Sequence, residues 1–168
     1  MKPAPLQLTD YFLTSLSIEA NPDFNGTDKV AFDFDSLTVT PTVRKESDLG
    51  DNGTKWFVTL HIVQDIPAGK NVPYRFSLQM QGIVFAAPQL TGITLGRAVH
   101  ANGPAMLFGA AREIIRAATG RGPWPAVIIP STNFFSNLPA VVPAAKAEPA
   151  PAVTSPKAAK KRTVSKPR

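Results

Sequence analysis

The stretch Tyr74-Arg-Phe-Ser-Leu-Gln-Met-Gln, residues 74–81, alternates an apolar side chain with a polar one. A period of two is typical of a β-strand with one buried face and one exposed face. Residues 56–63 repeat the pattern upstream. Their first face consists of Trp56, Val58, Leu60 and Ile62. The two stretches predict successive strands of a half-buried sheet.

Two further strands are predicted before this pair. The first runs from about Leu6 to Ile18, and its alternation changes phase near Tyr11-Phe12, which indicates a bulge or a sharp twist. The second begins at Val30 and continues to about residue 44, with Pro41 favouring an edge position or a strand end. Residues 46–54, rich in turn formers, predict a long hairpin connection. Four sequential strands predict an antiparallel meander.

A helix is predicted after the strands. Residues 88–103 are irregular and fairly apolar, and Pro104 is a residue type suited to a first helical turn. The predicted helix ends near Thr119, because Gly120 and Gly122-Pro123 follow. A short second helix is expected near residues 133–138, before a proline. The predicted fold class is therefore α+β: a four-stranded antiparallel β-meander, a crossover loop, one long helix and a short second helix.

The net charge of +6 divides the chain into two parts. Residues 1–140 contain equal numbers of acidic and basic side chains and are predicted to form one domain. Residues 141–168 contain seven basic residues and one acidic residue, with no aromatic residue, which predicts a disordered Ala/Pro/Lys-rich tail. This tail is either a solubilising extension or a contact to nucleic acid or an anionic surface. Its basic candidates are Lys157, Lys160, Lys161, Arg162, Lys166 and Arg168.

The residues needed for catalysis or for metal binding are scarce. The chain has no cysteine, and neither His61 nor His100 has a partner at metal-ligand spacing. No nucleophile is paired with a base, so we predict that the protein is not an enzyme and needs no metal or cofactor. No apolar run resembles a signal peptide or reaches the ~20 residues of a membrane span, so a soluble cytoplasmic protein is predicted.

The predicted helix and sheet leave apolar surface uncovered. One helix shields only part of a four-stranded sheet, so we expect the protein to form oligomers. Several apolar side chains near the predicted loop and at the end of the domain either fill the core or line a groove for extended, unfolded chain. These groove candidates are Leu90, Ile93, Leu95, Trp124, Phe134, Phe135 and Leu138.

Three segments resemble the C-terminal half of the SecB family of protein-export chaperones. They are Gly103-Pro-Ala-Met-Leu-Phe-Gly-Ala-Ala-Arg-Glu-Ile-Ile, Arg121-Gly-Pro-Trp-Pro and Ile129-Pro-Ser-Thr-Asn-Phe. Leu16-Ser-Ile-Glu-Ala-Asn-Pro and Gln81-Gly-Ile-Val-Phe are similar to the ends of two strands of that family. The resemblance covers residues 6–138 in order and spacing.

The resemblance implies a homotetramer, built as a dimer of dimers, that acts without ATP. Such a holdase binds unfolded preproteins in apolar grooves and delivers them to the SecA motor. The loop 88–103 would roof the groove, and residues 133–135 would begin the second helix that lines it. Glu19 matches a carboxylate of the family's SecA-docking surface, whereas Ser15 stands where another acid is usual. On the helix, Leu107, Arg112 and Glu113 are candidates for the subunit interface.

Departures from the family keep other functions open. Gly109-Ala110 replaces a Pro-Tyr pair, Pro139 shortens the second helix, and the basic tail is atypical. One alternative is a SecB-like chaperone dedicated to another client, such as an antitoxin. A second is a SecB-fold module that its basic tail tethers to nucleic acid or an anionic surface. A third possibility is that the tail folds back on acidic groups of its own sheet, around Asp33, Asp35 and Glu19.

Overall fold

The fold combines one antiparallel sheet with one long helix. The computed structural model describes residues 3–27 and 34–135. The strands are β1 (Leu6–Ala20), β2 (Leu37–Asp48), β3 (Thr54–Gln64) and β4 (Tyr74–Ala86), and the helix is α1 (Gly92–Thr119). Two single-turn 3-10 helices, Phe34–Ser36 and Gly50–Asn52, lie before and after β2. The predicted α+β class is confirmed.

The strand order in the sheet is β1-β4-β3-β2. Strands β2, β3 and β4 form the predicted meander, but β1 pairs with β4 and not with β2. Three hairpin-connected strands with a fourth beside the far member make a Greek key. The predicted sequential order was wrong for β1, because alternation identifies a strand but carries no information about its partner.

Strand β1 contains two bulges that explain its change of phase. Its register against β4 shifts at Thr9 and again at Thr14. The Thr9 hydroxyl donates to the Ile83 carbonyl (3.1 Å) and the Thr14 hydroxyl donates to the Gln79 carbonyl (2.9 Å). Each bulged residue therefore still bonds to β4 through its side chain, and between the bulges the odd-numbered side chains face α1.

Strand β2 lies at the opposite edge of the sheet, as Pro41 indicated. It begins at Leu37, since Phe34–Ser36 forms a 3-10 turn, and the predicted strand residues 30–33 lie outside the described residues. It continues to Asp48, beyond the predicted end near residue 44. The hairpin to β3 is consequently shorter than predicted, and it closes through a bond from the Leu49 amide to the Gly53 carbonyl (2.9 Å).

Helix α1 begins at Gly92, so the predicted loop over residues 88–103 was wrong. Pro104 lies inside the helix, where it supplies no N–H for the carbonyl of His100. Glycines and this proline weaken the helical preference of the segment. Burial offsets the weakness, since Val99 is completely buried and a Cβ at Gly103 would lie 3.0 Å from Val58 Cγ2. Packing on the sheet therefore overrides the local sequence.

The core lies between α1 and one face of the sheet. Its fully buried members on α1 are Leu107, Ala111 and Ile115. On the sheet, the alternating side chains of β3 and β4 provide the facing layer, including Leu60, Ile62, Phe76, Leu78 and Met80. We call the other side of the sheet, which α1 does not cover, the open face.

Candidate functional site

Residues 121–135, here called the C-terminal strap, run antiparallel to the C-terminal half of α1, from Thr119 back to Phe108. The Val127 amide donates to the Thr119 hydroxyl (3.0 Å), and Arg112 Nε donates to the Ile129 carbonyl (2.6 Å). Further along the strap, the ring centroids of Phe134 and Phe108 are 5.7 Å apart in an edge-to-face arrangement. Polar bonds and an aromatic contact thus fix the strap to the helix.

A buried tyrosine anchors the start of the strap. The hydroxyl of Tyr74, on β4, accepts a bond from the Trp124 amide (2.9 Å) and lies 3.0 Å from the Thr119 carbonyl. The Trp124 indole N–H donates to the Asn21 carbonyl (2.9 Å), and its ring packs 5.2 Å from that of Phe24. This network links the end of α1 to the sheet and to the segment after β1.

The strap carries both buried and exposed apolar side chains. Val127, Ile129 and Phe134 are buried, whereas Ile128 is 65 % exposed and Phe135 is 60 % exposed. From Val127 to Ile129 the exposure alternates, as in an extended backbone with one side against α1. Two large apolar side chains therefore project from the outer side of the strap.

The predicted groove residues do not converge on one pocket. Ile93 is 61 % exposed at the start of α1, and Leu90 and Leu95 beside it are partly buried. Trp124 is half-buried at the other end of α1, and Phe134 is only 3 % exposed. Leu138 lies outside the described residues. Fifteen residues of helix, about 22 Å, separate Ile93 from the level of Phe134 and Phe135.

Sequence reasoning missed two features of this region. Ile128 was not among the predicted groove residues, although it is exposed between the buried side chains of Val127 and Ile129. An apolar groove of about 410 Å³ also lies between the start of β1 and α1. It is lined by Ala4, Pro5, Leu6, Asn102, Ala105 and Met106. No sequence signal identified this groove, because its two walls are about a hundred residues apart.

Edge strand β1 exposes a row of apolar side chains toward the helix side of the sheet, here called the β1 flank. Tyr11 is 50 %, Leu13 43 % and Leu16 38 % exposed, and they pair with Gly82, Met80 and Leu78 of β4. An apolar edge strand with unpaired backbone groups favours association with another chain. The flank is therefore a candidate interaction surface.

The three predicted interface residues on α1 have different environments. Leu107 is fully buried within a single chain, where it belongs to the core. Arg112 bonds to the strap through Ile129 and Ser131. Glu113 is exposed and lies 3.3 Å from Arg116. Only Glu113 therefore has most of its side chain available to a partner.

The predicted docking carboxylate, Glu19, lies on the open face beside a cation. Its Oε2 is 3.5 Å from Arg75 Nη1, and Arg75 Nε is 3.4 Å from Asp65 Oδ1. Glu19 and Asp65 thus share Arg75, so the charge near Glu19 is partly balanced. Asp35 is exposed before β2, and Asp33 lies outside the described residues, as do the basic candidates of residues 141–168.

The two histidines have separate structural neighbours. His61 Nε2 lies 3.1 Å from the Ser77 hydroxyl on the open face. His100 packs edge-on to Trp56 at 6.4 Å, and burial lowers its pKa below the ordinary value because it disfavours the imidazolium.

A hydrogen bond from Lys45 lowers the pKa of Asp48 at the hairpin. Within residues 3–27 and 34–135, no three acidic or histidine side chains cluster as metal ligands would.

No helix in the described part of the chain is long and apolar enough to cross a membrane. The sequence matches no protein-family model and none of the curated protein sequences.

The fold, by contrast, is similar to solved structures. One is the SecB-like chaperone Rv1957 of Mycobacterium tuberculosis, in complex with a ChAD peptide from the HigA1 antitoxin Rv1956. The TM-score is 0.53 at 16 % identity, covering 77 % of this chain and 88 % of that one. Another is a protein of unknown function from Streptococcus agalactiae, with a TM-score of 0.51 at 12 % identity and coverage of 74 % and 96 %. This chain therefore has a SecB-like fold.

Proposed function

We propose that the protein is an ATP-independent chaperone that binds unfolded apolar segments of client proteins. The observation that carries the proposal is the outward projection of Ile128 and Phe135 from a strap fixed along α1. The similarity of the fold to a SecB-like chaperone supports it. We place this activity in the cytoplasm and without a catalytic step.

The arrangement suits an extended client better than a compact one. The exposed side chains are distributed along α1, whose 28 residues span about 42 Å. Burial of apolar surface contributes about 25 cal/mol per Å² and requires no particular sequence. A folded protein hides its apolar segments, so it would be released.

Aggregation of a chemically denatured client tests the proposal. Equimolar protein is expected to suppress light scattering, and Ile128→Asn combined with Ile93→Asn is expected to weaken client affinity by about tenfold or more. Phe12→Asn is the matched control, because Phe12 is 43 % exposed on the open face. Fluorescence titration with an unfolded client measures the affinities.

Two results would contradict this function. A folded protein that leaves aggregation unchanged has no holdase activity. Equal losses for Phe12→Asn and the double variant would show that the strap and the start of α1 are not the client-binding surface.

The identity of the client is a finer part of the proposal. We favour unfolded secretory preproteins passed to SecA, as the sequence resemblance implies. The neighbouring structure was solved with an antitoxin peptide, which supports a dedicated client as the alternative. Co-purification from the native cytoplasm separates the two: many precursors with SecA support the first, and one dominant partner supports the second.

We further propose a homotetramer, a dimer of dimers, in which the β1 flank contributes an interface. Leu16→Lys places a charge among exposed apolar side chains and is expected to shift the protein toward smaller species in sedimentation velocity. Leu49→Lys, at a hairpin residue of similar exposure (42 %), is the control and should leave the mass unchanged. A parent chain that sediments as a monomer would refute the oligomer.

A further inference from the structure

Three phenylalanines and two cations lie together on the open face of the sheet. Phe57 on β3 is opposite Arg44 on β2, and Phe85 on β4 is opposite Lys55 on β3. Phe12 on β1 lies opposite Gln81 of β4, which lies opposite Thr59, two residues along β3 from Phe57. Because side chains of a strand alternate between faces, all five project on the side that α1 does not cover. We call this group the aromatic-cationic patch.

The three rings of the patch differ in accessibility, and Phe12 is the most exposed of them. Arg44 Cζ lies 5.4 Å from the centroid of the Phe57 ring, within the range of a cation–π contact. A shallow depression of about 150 Å³ surrounds this pair, lined also by Thr42, Thr59 and Gln81. Phe57 and Phe85 are half-buried and Phe12 is 43 % exposed. Around the rings, the side chains of Thr42, Thr59 and Gln81 offer hydroxyl and amide groups for hydrogen bonding.

The charges of the patch are partly balanced by carboxylates. Lys55 is paired with Glu46 at 3.0 Å, and Asp10 lies on the same face of the sheet, two residues from Phe12. Arg44 is exposed, and its guanidinium contacts the Phe57 ring. The complete chain adds a net charge of +6, which is concentrated in residues 141–168. A phosphate group at the patch would thus meet the exposed guanidinium of Arg44 and would compete with Glu46 for Lys55.

We propose that the aromatic-cationic patch binds single-stranded nucleic acid. Unpaired bases would stack on the phenyl rings and on the Arg44 guanidinium, while phosphates would contact Arg44 and Lys55. Stacking platforms on a sheet surface select single strands, since bases in a duplex do not offer their ring faces. This site lies on the opposite side of the sheet from the strap, so it does not depend on the proposed chaperone activity.

Fluorescence anisotropy with the full chain and a labelled oligothymidine of about 20 nucleotides tests the proposal. Arg44→Gln and Phe57→Leu are each expected to weaken binding by about tenfold. Lys45→Gln is the matched control, because it removes the same charge from the adjacent residue, which lies opposite Trp56 on the helix side. Its affinity is expected to stay within about twofold of the parent.

The contribution of the basic extension is measured in the same full-length protein. Changing Lys160, Lys161 and Arg162 to glutamine is expected to reduce the salt dependence of binding. The tenfold difference between Arg44→Gln and the parent should persist in that background. Ultraviolet cross-linking of the unaltered protein to oligouridine, followed by mass spectrometry, should identify peptides from β3 or β4.

Three outcomes would overturn the proposal. The first is absence of oligonucleotide binding by the folded parent chain, as expected if the open face docks another protein. The second is an equal loss for Arg44→Gln and Lys45→Gln, which would indicate attraction by net charge alone. The third is cross-linking confined to residues 141–168. This last measurement decides the question even if Phe57→Leu fails to fold.

Discussion

Alanine substitutions at the adjacent residues Phe134 and Phe135 are expected to have opposite consequences. Phe134→Ala should lower the free energy of unfolding by about 3–4 kcal/mol, because it removes a buried ring from its contact with Phe108. Phe135→Ala should change stability by less than about 0.5 kcal/mol, since that side chain is 60 % exposed. Urea unfolding monitored by circular dichroism measures both changes.

Client affinity is expected to show the reverse order. The folded Phe135→Ala protein should bind an unfolded client about tenfold more weakly, since its ring is available to be buried on binding. Below the urea midpoint of Phe134→Ala, the folded fraction should bind the client with nearly parental affinity. Equal stability losses for the two variants would contradict the position of the strap. An unchanged client affinity for Phe135→Ala would remove that residue from the binding surface.

The alternation of the strands was visible in the sequence because it depends on neighbouring residues alone. Residues 74–81 and 56–63 became β4 and β3 with the expected faces buried. The change of phase near Tyr11 also has a structural cause, because β1 contains a bulge on each side of this residue. The partner of β1 could not be predicted, because its pairing with β4 joins residues more than fifty positions apart.

The helix shows where local preference fails. Gly96, Gly103 and Pro104 all disfavour a helix interior, yet α1 includes each of them. Val99 and Ala101 are buried there, and this packing is not encoded in the preference of any single residue. Local signals favour a helix start at Pro104, but packing on the sheet extends the helix back to Gly92.

The candidate site was harder to predict than the fold. Phe134 and Phe135 are identical residue types, and only the register of the strap against α1 decides which of them is buried. Glu19 was predicted from resemblance, but its pairing with Arg75 depends on the register between β1 and β4. Ile128 was missed because a three-residue apolar run predicts neither exposure nor burial.

Gly122→Ala is expected to lower the free energy of unfolding by about 2–3 kcal/mol, although it adds a single methyl group. A Cβ at this position would lie 2.5 Å from the Tyr74 hydroxyl oxygen and 3.0 Å from Cε1. Tyr74 is 1 % exposed, so its ring has little room to move away. Relief of the overlap would break the hydrogen bonds that join this hydroxyl to the Trp124 amide and to the Thr119 carbonyl.

Gly109→Ala provides the matched control, since a Cβ there meets nothing within 4 Å in the exposed part of α1. It should stabilise the protein by about 0.5–1 kcal/mol through the helical preference of alanine. Thermal and urea unfolding compare the two variants. A loss at Gly109 as large as that at Gly122 would show that the overlap with Tyr74 is not the cause of the Gly122→Ala effect.

A double-mutant cycle isolates the cause of the Gly122 effect. Tyr74→Phe removes the hydroxyl and is expected to cost about 1–2 kcal/mol, because the partly buried Trp124 amide loses its acceptor. If the added methyl group acts by displacing that hydroxyl, the double variant should lose less stability than the sum of the single variants. If the stability losses of the two single variants are additive, displacement of the Tyr74 hydroxyl is not the cause of the Gly122→Ala effect. Hydrogen exchange supplies a local measurement: in Gly122→Ala the Trp124 and Val127 amides should exchange faster, whereas amides in the middle of α1 should keep their relative protection.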